Sequence, residues 1–236
     1  MELKYLNHSS FTLKTSVNGK PVTILFDPFD DSIGVKFKQT EADIVLLSHM
    51  HPDHANLSKV TGLSNEDLNN DSFRAFENKP FLIKRPGEYE AKGVHIKGIS
   101  SFHDDKQGNE RGENIIYTVF SEELRLCHLG DLGHILSDNQ VEEIGDCDVL
   151  IIPVGGEYTI DAEKAGEVIS QIEPSFVIPM HYKTEKHSAA FEKVQPLEVF
   201  LKEFGKEGNA EFKDKFVITK TSAEETQLVL LKPIYS

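Results

Sequence analysis

Apolar positions along this chain fall into short runs, and the spacing within each run separates strands from helices. Phe11, Leu13 and Val17 are near alternation, Asn18-Gly19 interrupts them, and residues 22–26 are apolar again. A half-buried strand, a two-residue turn and a returning strand are predicted, closed by Asp27-Pro28. Further short apolar runs at residues 45–47, 94–99, 124–129, 149–152 and 177–178 predict more strands. The second half also carries helical periodicity. Ala162, Ala165, Val168, Ile169 and Ile172 share one helical face, Asp161 and Glu163 suit the positive end of its dipole, and Pro174 stops it. Another helix is predicted to open with Pro196 as its first residue, bury Leu197, Phe200, Leu201 and Phe204, and end at Gly205. The class is therefore α/β, with helices covering the sheets. No linker, low-complexity tract or short-period repeat divides the chain, so residues 1–236 are read as a single domain. Two polar stretches, 63–80 and 104–114, read as loops or short excursions placed to overhang the strand ends.

Four of these strands run, within a few residues, into potential metal ligands. Residues 45–47 lead to His49-Met50-His51-Pro52-Asp53-His54, 94–99 to His103, 124–129 to Asp131, and 177–178 to His181. Side chains at strand ends can converge on one edge of a sheet. His49, His51 and Asp53 share parity and would project to one side of an extended segment, and Pro52 disfavours an early helix. Five imidazoles and two carboxylates suit two transition-metal ions better than one. These ligand types fit Zn²⁺ first, with Mn²⁺ or Fe²⁺ also accommodated. The lack of cysteine in the set argues against a closed structural zinc site.

Composition narrows the partners. A net charge of −14 argues against nucleic acid held by its phosphates, because such binding rests on Lys and Arg displacing counterions. A small anionic substrate remains compatible, since two divalent ions against Asp53 and Asp131 leave the centre locally positive. The N-terminus lacks a basic region followed by an apolar run, and no run reaches membrane-spanning length. Cys127 lies inside a predicted strand and Cys147 just before another, which suits buried thiols in a reducing compartment. Cytoplasm is the expected location, with no membrane partner; the oligomeric state is left open.

The motif His49-x-His51-x-Asp53-His54, with His103, Asp131 and His181 downstream, resembles the metallo-β-lactamase superfamily of metal-dependent hydrolases. Asn7-His8-Ser9-Ser10-Phe11, Asp27-Pro28-Phe29, Arg111-Gly112-Glu113-Asn114, the segments 128–134 and 154–160, and Ile178-Pro179-Met180-His181-Tyr182 are similar to the branch containing ascorbate-6-phosphate lactonase-like proteins and predicted zinc hydrolases. The resemblance spans residues 6–183. It implies a four-layer αβ/βα sandwich with its site between two sheets. One metal would take His49, His51 and His103, the other Asp53, His54 and His181, and Asp131 would bridge them. The implied activity is hydrolysis of a small, anionic ester, lactone or phosphodiester by a metal-held hydroxide, with Asp53 orienting it or collecting its proton. A nuclease, a non-catalytic ligand-sensing module and di-iron redox chemistry are alternatives. Related di-iron sites place a carboxylate where His51 stands, which counts against the last.

Other residues carry weaker expectations. His8 could hydrogen-bond a ligand, contact substrate or be structural, and His134 could face the cleft. Tyr158 follows a strand end, so its hydroxyl could meet an oxyanion or its ring could simply pack. Lys183 could bind an anion or be solvated, and Gly155-Gly156 could serve a phosphate or only a tight turn. His128 reads as packed or as supporting a ligand from behind rather than as a ligand, and His95 and His187 as surface or structural.

Overall fold

The chain opens with three antiparallel strands, β1 (Glu2–Asn7), β2 (Ser10–Val17) and β3 (Lys20–Phe26). Asn18 and Gly19, at φ of 51° and 76°, form the predicted turn, with Val17 paired to Lys20 across it. Two left-handed residues in a two-residue loop match the twist of the flanking strands. β4 (Ile44–Leu46) and β5 (Phe81–Ile83) add in parallel, and the short strand Phe216–Val217 closes a six-stranded sheet beside β1. A seven-stranded sheet follows. Its β6 (Gly87–Ala91), β7 (Val94–Phe102), β8 (Glu113–Ser121) and β9 (Leu124–His128) are antiparallel. β10 (Val149–Pro153), β11 (Phe176–Met180) and the short strand Gln227–Leu228 continue in parallel. The computed structural model describes residues 1–69, 79–205, 211–220 and 225–235, so the middle of the polar stretch at 63–80 lies outside the described residues.

Strand alternation decides which core each side chain enters. Ile24, Phe26, Ile44 and Leu46 face the core shared with the second sheet, alongside Ile96, Ile116 and Val119. Their neighbours Leu25 and Val45 enter a second core with Phe29, Ile33, Val35 and Leu57. That outer layer is built from the segment after β3 and 3₁₀ turns at Asp31–Ile33 and Leu57–Lys59. The other outer layer is helical: α1 (Asp138–Ile144), α2 (Ala162–Ile172) and α3 (Leu197–Glu203) cover the second sheet. The architecture is an α/β sandwich, two packed sheets between two outer layers.

The predicted helices appear with small shifts. Asp161 caps α2 by accepting the Lys164 N–H at 3.0 Å, and α2 ends at Glu173, in left-handed conformation, before Pro174. Pro196 stands as the extended cap of α3 rather than as its first helical residue, and Phe204 is half-buried beyond its end. Helix α1 was not predicted because seven residues are too few to display a period. Its signal is the capping box Ser137–Gln140.

Two contacts lock the sheets where the site forms. Tyr117 donates its hydroxyl to the Leu47 carbonyl at 2.9 Å, and the Ile115 N–H reaches the Ser48 carbonyl at 2.8 Å. Gly130 fits because a Cβ there would stand 2.5 Å from that of Ser48. Gly155 lies so near the end of β11 that a Cβ would fall 2.0 Å from the His181 carbonyl oxygen, which explains the glycine without any phosphate. Cys127 and Cys147 are free and buried. Among the described residues, no helix is long and apolar enough to cross a membrane.

Candidate metal centre

The ends of β4, β7, β9 and β11 meet with the β1–β2 turn, and all seven predicted ligands gather there. His49, His51 and His103 bring one ring nitrogen each to within 4.8 Å of one another. So do His49, His54 and Asp131, and so does a set made of His8, Asp53, His54 and His181. Asp131 lies between the groups. Its Oδ2 is 3.2 Å from His54 Nε2, 3.3 Å from His103 Nε2 and 3.1 Å from His181 Nε2.

The extended-segment reading of residues 49–53 does not hold. Both His54 and Ala55 donate their N–H to the His51 carbonyl at 2.9 Å, so the backbone turns there. That turn leaves His49 and His51 with His103 and carries Asp53 and His54 across to His181. Pro52 sits inside the turn instead of prolonging a strand.

Charge and tautomer suit a cation. Burial pushes His49 well down, His54 beside it adds to this, and burial with His103 lowers His51 as well. Burial pushes the Asp131 carboxyl up, but His181 and His54 outweigh it and hold it well below the usual range; His54 and His8 do the same for Asp53. His54 is raised, because Asp131 and Asp53 overcome its burial. Positive charge is therefore favoured at the meeting point of these groups. The buried Nε2 atoms of His49, His54 and His181 have no hydrogen-bond partner, although His54 and His181 approach Asp131 closely. Nitrogens crowded onto a carboxylate without hydrogen-bond alignment fit lone pairs that converge on an ion.

The sequence reading missed the groups that orient these ligands. Asp27, at the end of β3, accepts the Ser48 N–H at 2.7 Å, the Ser48 hydroxyl at 2.6 Å and His54 Nδ1–H at 3.1 Å. Ser48 Oγ in turn accepts His49 Nδ1–H at 3.0 Å. Both imidazoles thus donate from Nδ1 and turn Nε2 inward, where the neutral ring would offer a lone pair to an ion. Asn114 accepts the Asp131 N–H at 2.9 Å and donates to Ser101 and the Leu129 carbonyl. Buried carboxylate, hydroxyl and amide groups following apolar strands were the available signal for Asp27, Ser48 and Asn114.

The secondary candidates separate. His8 is fully buried behind the cluster, with Nε2 3.3 Å from Asp53 Oδ2, and burial, then His181, pushes it down to about 3. His8 and His181 both adopt left-handed backbone (φ 56° and 52°), joined by a 3.0 Å bond from the His181 N–H to the His8 carbonyl. His134 is engaged by backbone on both ring nitrogens, from the Phe102 N–H and to the Ile135 carbonyl. Tyr158 lines the cavity with its ring while its hydroxyl donates to the Ala190 carbonyl at 2.9 Å. His128 is buried against Phe26, His95 is exposed, and His187 is half-buried with Nδ1 accepting the Thr184 N–H. Lys183 donates to the Glu192 carbonyl.

A cavity of about 280 Å³ opens over the cluster, lined by His51, Asp53, His103, Asp131 and His181 on its floor. Glu110 and Arg111 bring the polar stretch after His103 over it, as the sequence predicts. Asp104 secures that loop, its carboxylate accepting the N–H groups of Lys106, Gly108, Glu110 and Arg111 at 2.7–2.9 Å. Burial pushes the Asp104 carboxyl up, but these four donors, Arg111 foremost, hold it at about 2. The folded value lies below the unfolded one of about 3.9, so the stabilisation is full above that value and is lost as pH falls toward the folded one. Asp104→Ala is expected to cost the metal-free protein about 2 kcal/mol at neutral pH. Denaturant titrations should show the gap narrowing in acid, and a gap of constant size would refute this account.

Comparison with known proteins gives a consistent picture. A model described as a β-lactamase superfamily domain matches residues 2–181. A UPF0173 metal-dependent hydrolase of Lysinibacillus sphaericus is 31% identical over 202 residues, covering 78% of this chain and 86% of that protein. The crystal structure of a proposed Zn-dependent hydrolase of the metallo-β-lactamase superfamily from Thermotoga maritima has a TM-score of 0.70 at 34% identity, covering 98% of this chain and 99% of the other. Igni18, a metallo hydrolase of Ignicoccus hospitalis, shares the fold with a TM-score of 0.63 at 20% identity, covering 92% of this chain and 99% of its own.

Proposed function

Because the chain belongs to the metallo-β-lactamase superfamily of metal-dependent hydrolases, we propose that its cleft binds two divalent ions and cleaves a small anionic ester, lactone or phosphodiester. The observation that carries this reading is the position of Asp131 Oδ2, within 3.3 Å of imidazoles from both ligand groups. His49, His51 and His103 would hold one ion and Asp53, His54 and His181 the other, with Asp131 serving both groups. The donor set suits zinc first, and manganese or iron as well. When bound, the ions supply a hydroxide near neutral pH and polarise the carbonyl or phosphoryl oxygen.

The chain's own groups do the rest. Asp27 and Ser48 keep the His54 and His49 Nε2 lone pairs inward. Asp53 is partly exposed at the cavity floor, and His8 and His54 both approach its Oδ2. Asp53 is thereby placed to orient the attacking water or take up its proton. His8 acts from behind by steadying that carboxylate. The cavity volume and the acidic balance favour a small molecule over nucleic acid. Similarity in sequence to the ascorbate-6-phosphate lactonase-like branch supports lactones and phosphate-bearing esters as the compounds to test first.

Elemental analysis of the purified protein, with a panel of chromogenic phosphodiesters, phosphomonoesters, esters and lactones, checks the reading. Chelation should abolish turnover and re-addition of zinc, manganese or iron should restore it. Bound metal with no turnover of any member would favour a sensing module, and oxygen consumption would favour redox chemistry.

A further inference from the structure

The loop that Asp104 secures carries a guanidinium to the cavity. Arg111 and its neighbour Glu110 both line it. Glu110 forms an ion pair with Lys106 on the same loop, whereas among the described residues no carboxylate lies within ion-pair distance of Arg111. Arg111 shares the cavity lining with Asp53 and Asp131 without pairing to either. Its placement is also built rather than incidental. The Arg111 N–H is held by Asp104 at 2.7 Å, and its guanidinium carbon lies 5.7 Å from the centre of the Tyr158 ring. Tyr158 is fixed in turn by its bond to the Ala190 carbonyl and by Phe191, whose ring centre is 5.9 Å away. The loop has its own fastening in Asp104, so the guanidinium is not needed to hold it closed.

We propose that Arg111 determines specificity by binding an oxyanion group of the substrate remote from the bond that is cleaved. The Tyr158 and Phe191 rings pack the carbon skeleton between the two ends. A planar guanidinium already seated on an aromatic face offers paired N–H donors to a carboxylate or phosphate with little further ordering. The substrate class is therefore a small two-ended molecule, with its scissile group at the His/Asp cluster and a second, anionic group under the 104–112 loop. This assignment rests on reading the cluster as the metal-loaded centre.

Calorimetry on the metal-loaded protein tests it without any turnover. Dicarboxylates from malonate to adipate are compared with butyrate, and 3-phosphonopropionate distinguishes a phosphate from a carboxylate at the remote end. At least one two-ended ligand should bind about tenfold or more tightly than butyrate. Arg111→Met should erase that advantage, a loss of about 10–100-fold, with butyrate affinity and metal content unchanged. Arg111→Lys should retain part of it, because charge survives and the fork does not, and this variant guards against a loop loosened by Met. If no two-ended ligand outbinds butyrate, or if both variants weaken butyrate equally, the assignment is overturned. Failure to hydrolyse any ester would sink the proposed activity but leave this binding comparison readable.

Discussion

Asp131→Ala is expected to lose bound metal and turnover together. The carboxylate is 1% exposed, deep on the floor of the cavity and packed among the imidazoles around it. Its Oδ2 lies within 3.3 Å of His54, His103 and His181, which belong to different ligand groups. Removing it leaves two neighbouring cations without the anion that offsets their repulsion, and both groups lose a donor at once. The loss of turnover should exceed the roughly 10–100-fold typical of deleting a hydrogen-bond partner of a ligand. Asp131→Asn keeps the shape and removes the charge, so an intermediate metal content is expected from it. Folding should survive in both, because the Asp131 N–H bond to Asn114 belongs to the backbone. Metal stoichiometry by elemental analysis, alongside activity and thermal melting, reads all three effects. Two ions and full activity in the alanine variant would remove the bridging role.

Asp27→Asn should weaken metal binding by about 10–100-fold although Asp27 touches no ion in the proposed arrangement. Asp27 Oδ2 receives both the Ser48 hydroxyl and His54 Nδ1–H, and Ser48 relays the effect to His49. An asparagine amide offers N–H₂ at one of these positions. Either His54 then moves its proton to Nε2 and loses its inward lone pair, or a buried donor faces a donor. Asp27→Ala removes every acceptor at the site and leaves a buried N–H and imidazole unmatched, a cost of about 3 kcal/mol in stability. Competition with a chelator of known affinity separates the metal effect from the folding effect. Unchanged metal affinity in the asparagine variant would show that tautomer control lies elsewhere.

Several elements were readable because their causes are local. Asn18-Gly19 specifies its turn by backbone preference alone, and Asp161 with Pro174 brackets α2 in the same way. The His49–His54 cluster and His103, Asp131 and His181 stood out because each follows an apolar run that could only be a buried strand. Their division into groups was less legible. Parity suggested that Asp53 would project with His49 and His51, but the bonds onto the His51 carbonyl turn the chain between them. Helix α1 escaped because its apolar period is too short to register. His134 resembled a cleft residue by position, yet one ring nitrogen is taken by the Phe102 N–H that β7 brings near and the other by the carbonyl of its neighbour Ile135.

By itself, then, the sequence determined the strand-rich α/β class and the set of side chains that gather at the cleft. Strand period, turn residues and ligand type are properties of neighbours along the chain. The packing of the two sheets decided which ligands meet, why Gly130 and Gly155 stand where they do, and that Asp27 and Ser48 set the proton positions of His54 and His49. It also decided that Arg111 reaches the cavity over residues far from it in sequence. These depend on distances between segments up to some hundred and thirty positions apart, and such distances exist only once the hydrophobic faces of both sheets have closed on a common core.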